Sequence, residues 1–169
     1  MSDWQELRER YGPLVWTTVY RVLGNLDEAQ DCFQDVFVEV IERSTPDTVQ
    51  EWGAYLRWLA TRRALNRLKK SRNAVKRLAR NEPVSSLAST QPDPERCAEG
   101  KELVEVIRQA TARLPNRQGE AVWLSCVEQM SYADIAAQMR ISVNAVGVLV
   151  YRGRQKLREM LVDLNAPAK

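Results

Sequence analysis

Between Asn81 and Gly100 the chain reads NEPVSSLASTQPDPERCAEG, a run of Pro, Ser and acidic residues with no apolar period. Such a stretch has too little apolar surface to offset the entropy of ordering it, and it reads as a flexible linker. It divides 169 residues into two pieces, each the size of a small domain. The expected organisation is a domain over 1–80, a linker over 81–100 and a second domain over 101–169. A hydrophobic content of 44% with five tryptophans is enough for a real core.

In both pieces apolar residues recur at helical spacing and strand signals are nearly absent. Leu7, Tyr11, Leu14, Val15, Val19, Val22 and Leu23 predict a helical opening, kinked or restarted at Gly12-Pro13 and stopped at Gly24-Asn25. Asp27 can cap the next helix with Gln30 as its capping-box partner, and Phe33, Val36, Phe37, Val40 and Ile41 give it a core face. Ser44-Thr45-Pro46-Asp47 ends it, and a long helix follows from about Glu51 to Arg72. Beyond the linker, helices are expected from Glu102 to Leu114, stopping at Pro115, and from Arg117 to Glu128. The fold class is all-α, two small helical domains joined by a flexible segment.

The net charge of +3 hides a segregation. From Asp27 to Glu51 the carboxylates are opposed only by Arg43, whereas from Trp52 to Asn81 there are ten cations and no carboxylate. An acidic helix followed by a basic one suggests two partners of opposite charge. There is no His, which removes the commonest general base and metal ligand. No Gly-rich phosphate loop or nucleophile elbow is present. Cys32, Cys97 and Cys126 are isolated, without the spacing of a zinc site or a disulfide framework. Neither catalysis, a metal nor a cofactor is expected. No apolar run is long enough to span a bilayer and the N-terminus lacks an apolar signal segment, so the expected location is the cytoplasm.

Three constellations carry possible function. Asp31, Asp35 and Glu39 are four apart, a like-charged row that is mildly unfavourable in an isolated helix. It suits docking on a basic protein surface, or it is simply a solvated polar face. In the basic helix, Tyr55, Trp58, Arg62, Lys69 and Arg72 fall opposite Trp52, Leu56, Leu59 and Ala60. An aromatic and basic stripe facing away from the core suits single-stranded nucleic acid, with rings stacking on bases and cations on phosphates. Alternatively, Trp58 packs under a loop and the cations only solubilise. Finally, Ser131 can cap YADIAAQM with Asp134 as partner, Arg140-Ile141-Ser142 turns the chain, and a second helix follows. Small Ala136 permits a close helix crossing. On the second helix Val143, Val146, Val150, Gly153 and Leu157 share one face, leaving Asn144, Val148, Tyr151, Arg152 and Gln155 outward. This is helix-turn-helix geometry, suited to a DNA major groove, although a helical hairpin with no DNA role shares the pattern.

Taken together, these segments resemble the sigma-70 family of bacterial transcription initiation factors, in its small extracytoplasmic-function group. RYGPLVWTTVYRVLGNLDEAQDCFQDVFVEVI is similar to the family's regions 2.1–2.2, and EWGAYLRWLATRRALNRLKK to regions 2.3–2.4. LPNRQGEAVWLSCVEQMSYADIAAQMRISVNAVGVLVYRGRQKLREML resembles region 4. The resemblance covers nearly everything except the linker, in the family's order. It implies that Asp31, Gln34, Asp35 and Glu39 dock on the clamp helices of the core RNA polymerase β′ subunit. It implies that Tyr55, Trp58, Thr61, Arg62, Asn66 and Lys69 melt and read a −10 promoter element. Region 4 would enter the −35 major groove through Asn144, Val148, Arg152, Arg154 and Lys156, and touch the β flap. The linker would thread toward the active-site and RNA-exit channels, and an anti-sigma factor is a further possible partner. A stand-alone helix-turn-helix regulator is the competing reading, and it leaves the acidic and basic helices without a role.

The chain departs from the family pattern at three places. Tyr55-Leu56 stands where Trp-Leu is usual, and Thr61-Arg62 where Arg-Asn is frequent, so no −10 sequence preference is implied. Ala145-Val146-Gly147-Val148-Leu149-Val150 stands where the pattern resembles Thr-Val-Lys-Ser-Arg-Leu. Gly147 costs that helix about 1 kcal/mol against Ala, and the missing polar groups predict weaker or more apolar −35 readout.

Overall fold

The computed structural model describes residues 3–43, 48–81 and 99–165. Every regular element among them is an α-helix: α1 (Asp3–Leu23), α2 (Leu26–Arg43), α3 (Trp52–Asn81), α4 (Glu99–Arg113), α5 (Asn116–Cys126), α6 (Tyr132–Met139) and α7 (Val143–Asn165). The proposed helix stop at 44–47 and most of the linker lie outside the described residues.

α1 runs through Pro13 without restarting. Proline removes one backbone donor, but Val15, Val19 and Val22 beyond it are fully buried and hold the helix on the core. Gly24 ends α1 with φ of 67°, a left-handed conformation that a Cβ would oppose, and its N–H donates to the Tyr20 carbonyl at 2.8 Å. The chain passes directly into α2. The cap there is Asn25, whose Oδ1 accepts from the Glu28 N–H at 3.1 Å; Asp27, expected to cap, already lies inside the helix. α3 continues to Asn81, nine residues past its expected end at Arg72. Ser131 caps α6 by accepting from the Asp134 N–H at 3.1 Å, as its sequence predicts. Arg140 takes the left-handed turn position with φ of 55°, and Ser142 caps α7 through the Ala145 N–H.

The two halves share part of their apolar packing. One apolar cluster joins Val15 and Val19 of α1, Val36 and Val40 of α2, and Leu56 and Leu59 of α3. It also includes Ala112 of α4 and Trp123 of α5. A second cluster is formed by Leu124, Ile135, Met139, Val146 and Val150. Trp58 packs against both. Because each half is small, α3 lends its far side to the C-terminal helices, which lie along it at α4, α5 and α6.

The close crossing in the C-terminal half is made at Gly153 rather than by Ala136 alone. A Cβ on Gly153 would come within 2.4 Å of the Val122 side chain, so α7 seats on α5 only where a side chain is missing. Val143, expected on the buried face, is half-exposed at the start of the helix, and Val146 and Val150 carry the packing.

Candidate nucleic-acid and polymerase interfaces

The acidic helix spends much of its charge inside the molecule. Arg67 of α3 donates to Glu28 at 2.6 Å, to Asp35 at 2.9 Å and to Asp31 at 3.4 Å. The hydrogen bond that Arg67 donates to Glu28 is the leading reason that the Arg67 pKa is pushed further up. Asp31, Asp35 and Gln34 remain exposed and can meet a partner. Glu39 cannot be part of the same open row. It is 4% exposed, held by Arg62 at 3.0 Å, by Arg63, and by Arg43 at 3.5 Å. The reason is positional: Glu39 stands beside Val36 and Val40, so its carboxylate turns under α3, where three guanidiniums compensate its burial. Between α2 and α3 an open cleft of about 820 Å³ has Arg63, Arg67 and Lys70 facing Glu28 and Asp35, with Asn66 on its wall. Cys32 at its base is driven up to about 11 by burial, so its thiol stays protonated.

The aromatic and basic stripe is assembled as the helical wheel predicts, but it does not face solvent. Tyr55 and Trp58 have ring centroids 5.9 Å apart, and the Arg62 guanidinium lies 4.6 Å over the Trp58 ring. Tyr55, Trp58, Arg62 and Asn66 are partly buried, and Thr61 is fully buried. Lys69 donates to the Leu114 carbonyl and, at 2.6 Å, to Asn116 Oδ1. It thereby satisfies the C-terminal end of α4, and burial lowers its pKa. Glu120 of α5 is buried beside the stripe. Burial raises its pKa, while Arg62, Arg117, the Trp58 indole and Lys69 draw it back. The periodicity of α3 groups these side chains, but the expectation that the stripe faces away from the core needs correction: Trp58 packs against both apolar clusters because α5 lies over it, which could not be read from α3 alone.

On α7 the predicted outward face is open. Asn144, Val148, Tyr151, Arg152 and Gln155 are all exposed, Val148 at 47% and Tyr151 at 64%. Tyr151 and Gln155, which sequence reasoning placed outward but gave no role, form a pair in which Gln155 donates to the phenol oxygen at 2.9 Å. That pair is a polar element on an otherwise apolar nose. Leu149 is half-buried against the second core cluster, not at the groove face. Arg154 folds back to donate to Cys126 Sγ at 3.2 and 3.4 Å, which separates it from Arg152. Lys156 is exposed. Gly147 meets nothing closer than 3.9 Å, from Tyr132, so the site has room for a side chain.

The molecule is thus a helical protein of two parts, with a covered aromatic and basic stripe on α3 and an open face on α7. Comparison with known proteins agrees with both parts. Residues 7–74 match the family model "Sigma-70 region 2", and residues 105–157 match "Sigma-70, region 4". The chain is 31% identical over 164 residues to the RNA polymerase sigma factor CarQ of Myxococcus xanthus, covering 95% of this chain and 90% of CarQ. It is 26% identical to the ECF RNA polymerase sigma factor SigW of Bacillus subtilis, over 91% of this chain and 86% of SigW. It is 28% identical to the ECF RNA polymerase sigma factor SigE of Mycolicibacterium smegmatis, over 95% of this chain, which spans 62% of SigE's length. The chain belongs to the sigma-70 family of RNA polymerase sigma factors, in its extracytoplasmic-function group. In fold it is similar to the sigma factor RpoE, solved with the anti-sigma factor NepR from Bartonella quintana (TM-score 0.55, 20% identity, 95% of this chain and 98% of that one). It is likewise similar to CnrH solved with the cytosolic domain of CnrY (TM-score 0.54, 21% identity, 96% and 89%). A stand-alone regulator built on α6 and α7 would leave the whole region 2 match at 7–74 unexplained.

Proposed function

We propose that this chain is a dissociable specificity subunit that brings core RNA polymerase to promoters and opens them, an initiation factor and not a catalyst. Residues 1–80 act as the polymerase-binding and −10-melting domain, 81–100 as the linker, and 101–169 as the −35-reading domain. Asp31, Gln34 and Asp35 on the exposed side of α2 meet a basic surface of the polymerase β′ clamp helices. Glu39 contributes indirectly, by fixing Arg62 and Arg63. Tyr55 and Trp58 stack on unpaired bases while Thr61, Arg62, Asn66 and Lys69 hold the strand. Asn144, Val148, Arg152 and Lys156 face the −35 groove, with Arg154 released from Cys126 to reach a phosphate and the β flap as neighbour. The chain works in the cytoplasm, where its template is. An anti-sigma factor is a fitting further partner, since one of its structural neighbours was solved with such a protein.

The single observation that supports this reading best is the pairing, in one chain, of an aromatic-basic face on α3 with an open recognition face on α7, each within its own matching family region. Transcription with purified core polymerase and the added chain, with transcript 5′ ends mapped on genomic fragments, tests it. Initiation at a small set of sites sharing two spaced sequence elements is expected. DNA binding by the chain alone, with no effect on core polymerase, would favour the stand-alone regulator.

A further inference from the structure

α3 borders two clefts of opposite electrostatic character. On the α2 side Arg62, Arg63 and Arg67 are ion-paired with Glu39 and Glu28. Nearer the start of the helix, Arg57 lies 3.9 Å from the buried Glu128 carboxylate. On the α4 side an open cleft of about 450 Å³ is lined by Lys69, Arg72, Asn73 and Lys76 of α3 and by Ala112 and Arg113 of α4. Four cations meet there, and no carboxylate lines the walls among the described residues. None of the four forms an ion pair among those residues either. The arrangement follows from the sequence, because positions 69, 72, 73 and 76 share one helix face and Trp52 to Asn81 contains no acid. Arg113 arrives from the last turn of α4.

Protein acceptors answer only part of this charge. Lys69 donates to the Leu114 carbonyl and to Asn116, and Arg72 donates to the Gln109 carbonyl at 3.4 Å. The end of a helix presents about half a negative charge, which leaves most of four positive charges unmatched. The Arg72 pKa is accordingly lowered, first by burial and then by Arg113. Burial also lowers that of Lys69, with Glu120 acting against it. We propose that the cleft between α3 and α4 binds an oligophosphate, held by Lys69, Arg72, Lys76 and Arg113. Guanidiniums grip phosphate oxygens in a two-pronged fork, and ammonium groups add point charges. A chloride answers one charge of the four and leaves the others repelling. The volume lies within the ordinary range of small-ligand sites and suits a di- or triphosphate group. No aromatic ring lines the cleft among the described residues, so a nucleobase finds no stacking partner and the phosphates alone are recognised. Free tripolyphosphate and the phosphate tail of a nucleotide share that chemistry. A small ligand fits better than a DNA backbone, because the cations face one another from two helices rather than lying along one open ridge. The site goes beyond the promoter-opening role and does not rest on it.

The test is isothermal titration calorimetry of the full-length chain with inorganic tripolyphosphate, without magnesium and at about 0.15 M salt, where diffuse surface attraction is screened. One ligand per chain is expected. ATP and GTP should bind within about threefold of tripolyphosphate, since their phosphates make the same contacts. Lys76→Gln and Arg113→Gln change exposed positions and should leave the helical circular dichroism intact. Each should weaken binding roughly tenfold, as loss of a hydrogen bond to a charged group implies. Arg77→Gln removes a cation from the same helix outside the cleft and should change affinity by less than about twofold. Absent binding, several ligands per chain, or an equal loss with Arg77→Gln would overturn the site and leave a solvated basic surface. A nucleotide bound tenfold more tightly than tripolyphosphate would overturn recognition through phosphate alone. Loss of duplex DNA affinity in Lys76→Gln, with tripolyphosphate unbound by wild type, would overturn the small-ligand assignment in favour of DNA. All of these are read without core polymerase or a promoter, so failure of the site is distinguishable from failure of the melting role of α3.

Discussion

α3 and α7 both carry side chains suited to DNA, and the molecule treats them in opposite ways. The set on α3 is stacked, paired and covered: Trp58 lies under Arg62 and against both cores, and Lys69 is committed to the end of α4. The set on α7 is presented to solvent, with Val148 and Tyr151 among its most exposed residues. A helix that must pull a strand out of a duplex needs rings and cations, and these are sticky toward protein as well as toward nucleic acid. A helix that slides into a groove can stay polar or sparsely apolar and needs no cover. On the function proposed above, an exposed recognition face and a covered melting face are two ways of carrying DNA-binding chemistry in the same small chain.

The largest expected effect lies on the α3 side. Glu39→Ala removes the carboxylate that holds Arg62 and Arg63. It should cost about 2–4 kcal/mol in urea unfolding, below the range for a fully buried pair because the guanidiniums keep partial exposure. Asp35→Ala, at an exposed position bonded to Arg67, should cost less than about 1 kcal/mol yet weaken co-purification with core polymerase. Equal stability losses would show that the distinction between the buried and open carboxylates of α2 is wrong.

On the α7 side, Gly153→Ala would drive a methyl group into Val122. The gain in helix propensity of about 1 kcal/mol is outweighed, and a net loss of about 1–2 kcal/mol is expected by thermal unfolding. A more stable variant would mean that α5 and α7 are not seated as closely as described.

That pair of positions also shows what was legible in the sequence. The helical period of 3.6 gave every helix, and the Ser131 cap and outward face of α7 emerged as expected, because those features depend on local spacing. The fate of Glu39 was not legible, since its partners Arg62 and Arg63 come from another helix. Nor was the cover over Trp58, because Glu120, Trp123 and Glu128 look from the sequence like ordinary members of α5 and the turn after it. Arg154 was expected at the groove as a cation near the helix face, and the exposed Cys126 sulfur that draws it back is far away in sequence.

A smaller effect should sharpen the account of the covered face. Burial raises the Glu120 pKa with Arg62, Lys69 and Arg117 acting against it. A carboxylate with a raised pKa in the folded form binds its proton more tightly there, so its contribution favours the folded form at low pH. That contribution is fully present below its ordinary value of 4.5 and is lost as pH rises through the raised value. The unfolding free energy of wild type relative to Glu120→Gln should therefore improve toward lower pH. A difference of opposite sign would contradict the burial of Glu120 at the junction.

The smallest expected effect concerns the open face. Val148→Lys adds a cation at an exposed position without touching the core, whereas Leu149 is needed for packing. Affinity for −35-containing duplex should rise, and the slope of log affinity against log salt should steepen by about one. An unchanged slope would place Val148 away from the phosphates and make the apolar nose of α7 a protein-docking surface.

The central claim, that Tyr55 and Trp58 open the promoter, is tested most directly by permanganate footprinting of unpaired thymines on a promoter mapped with reconstituted holoenzyme. Wild-type chain should give reactive thymines across the −10 region. The Tyr55→Ala, Trp58→Ala double variant should still assemble with core polymerase and still protect −35 DNA, but lose that reactivity. Full thymine reactivity with the double variant would contradict the assignment of α3 as the melting face.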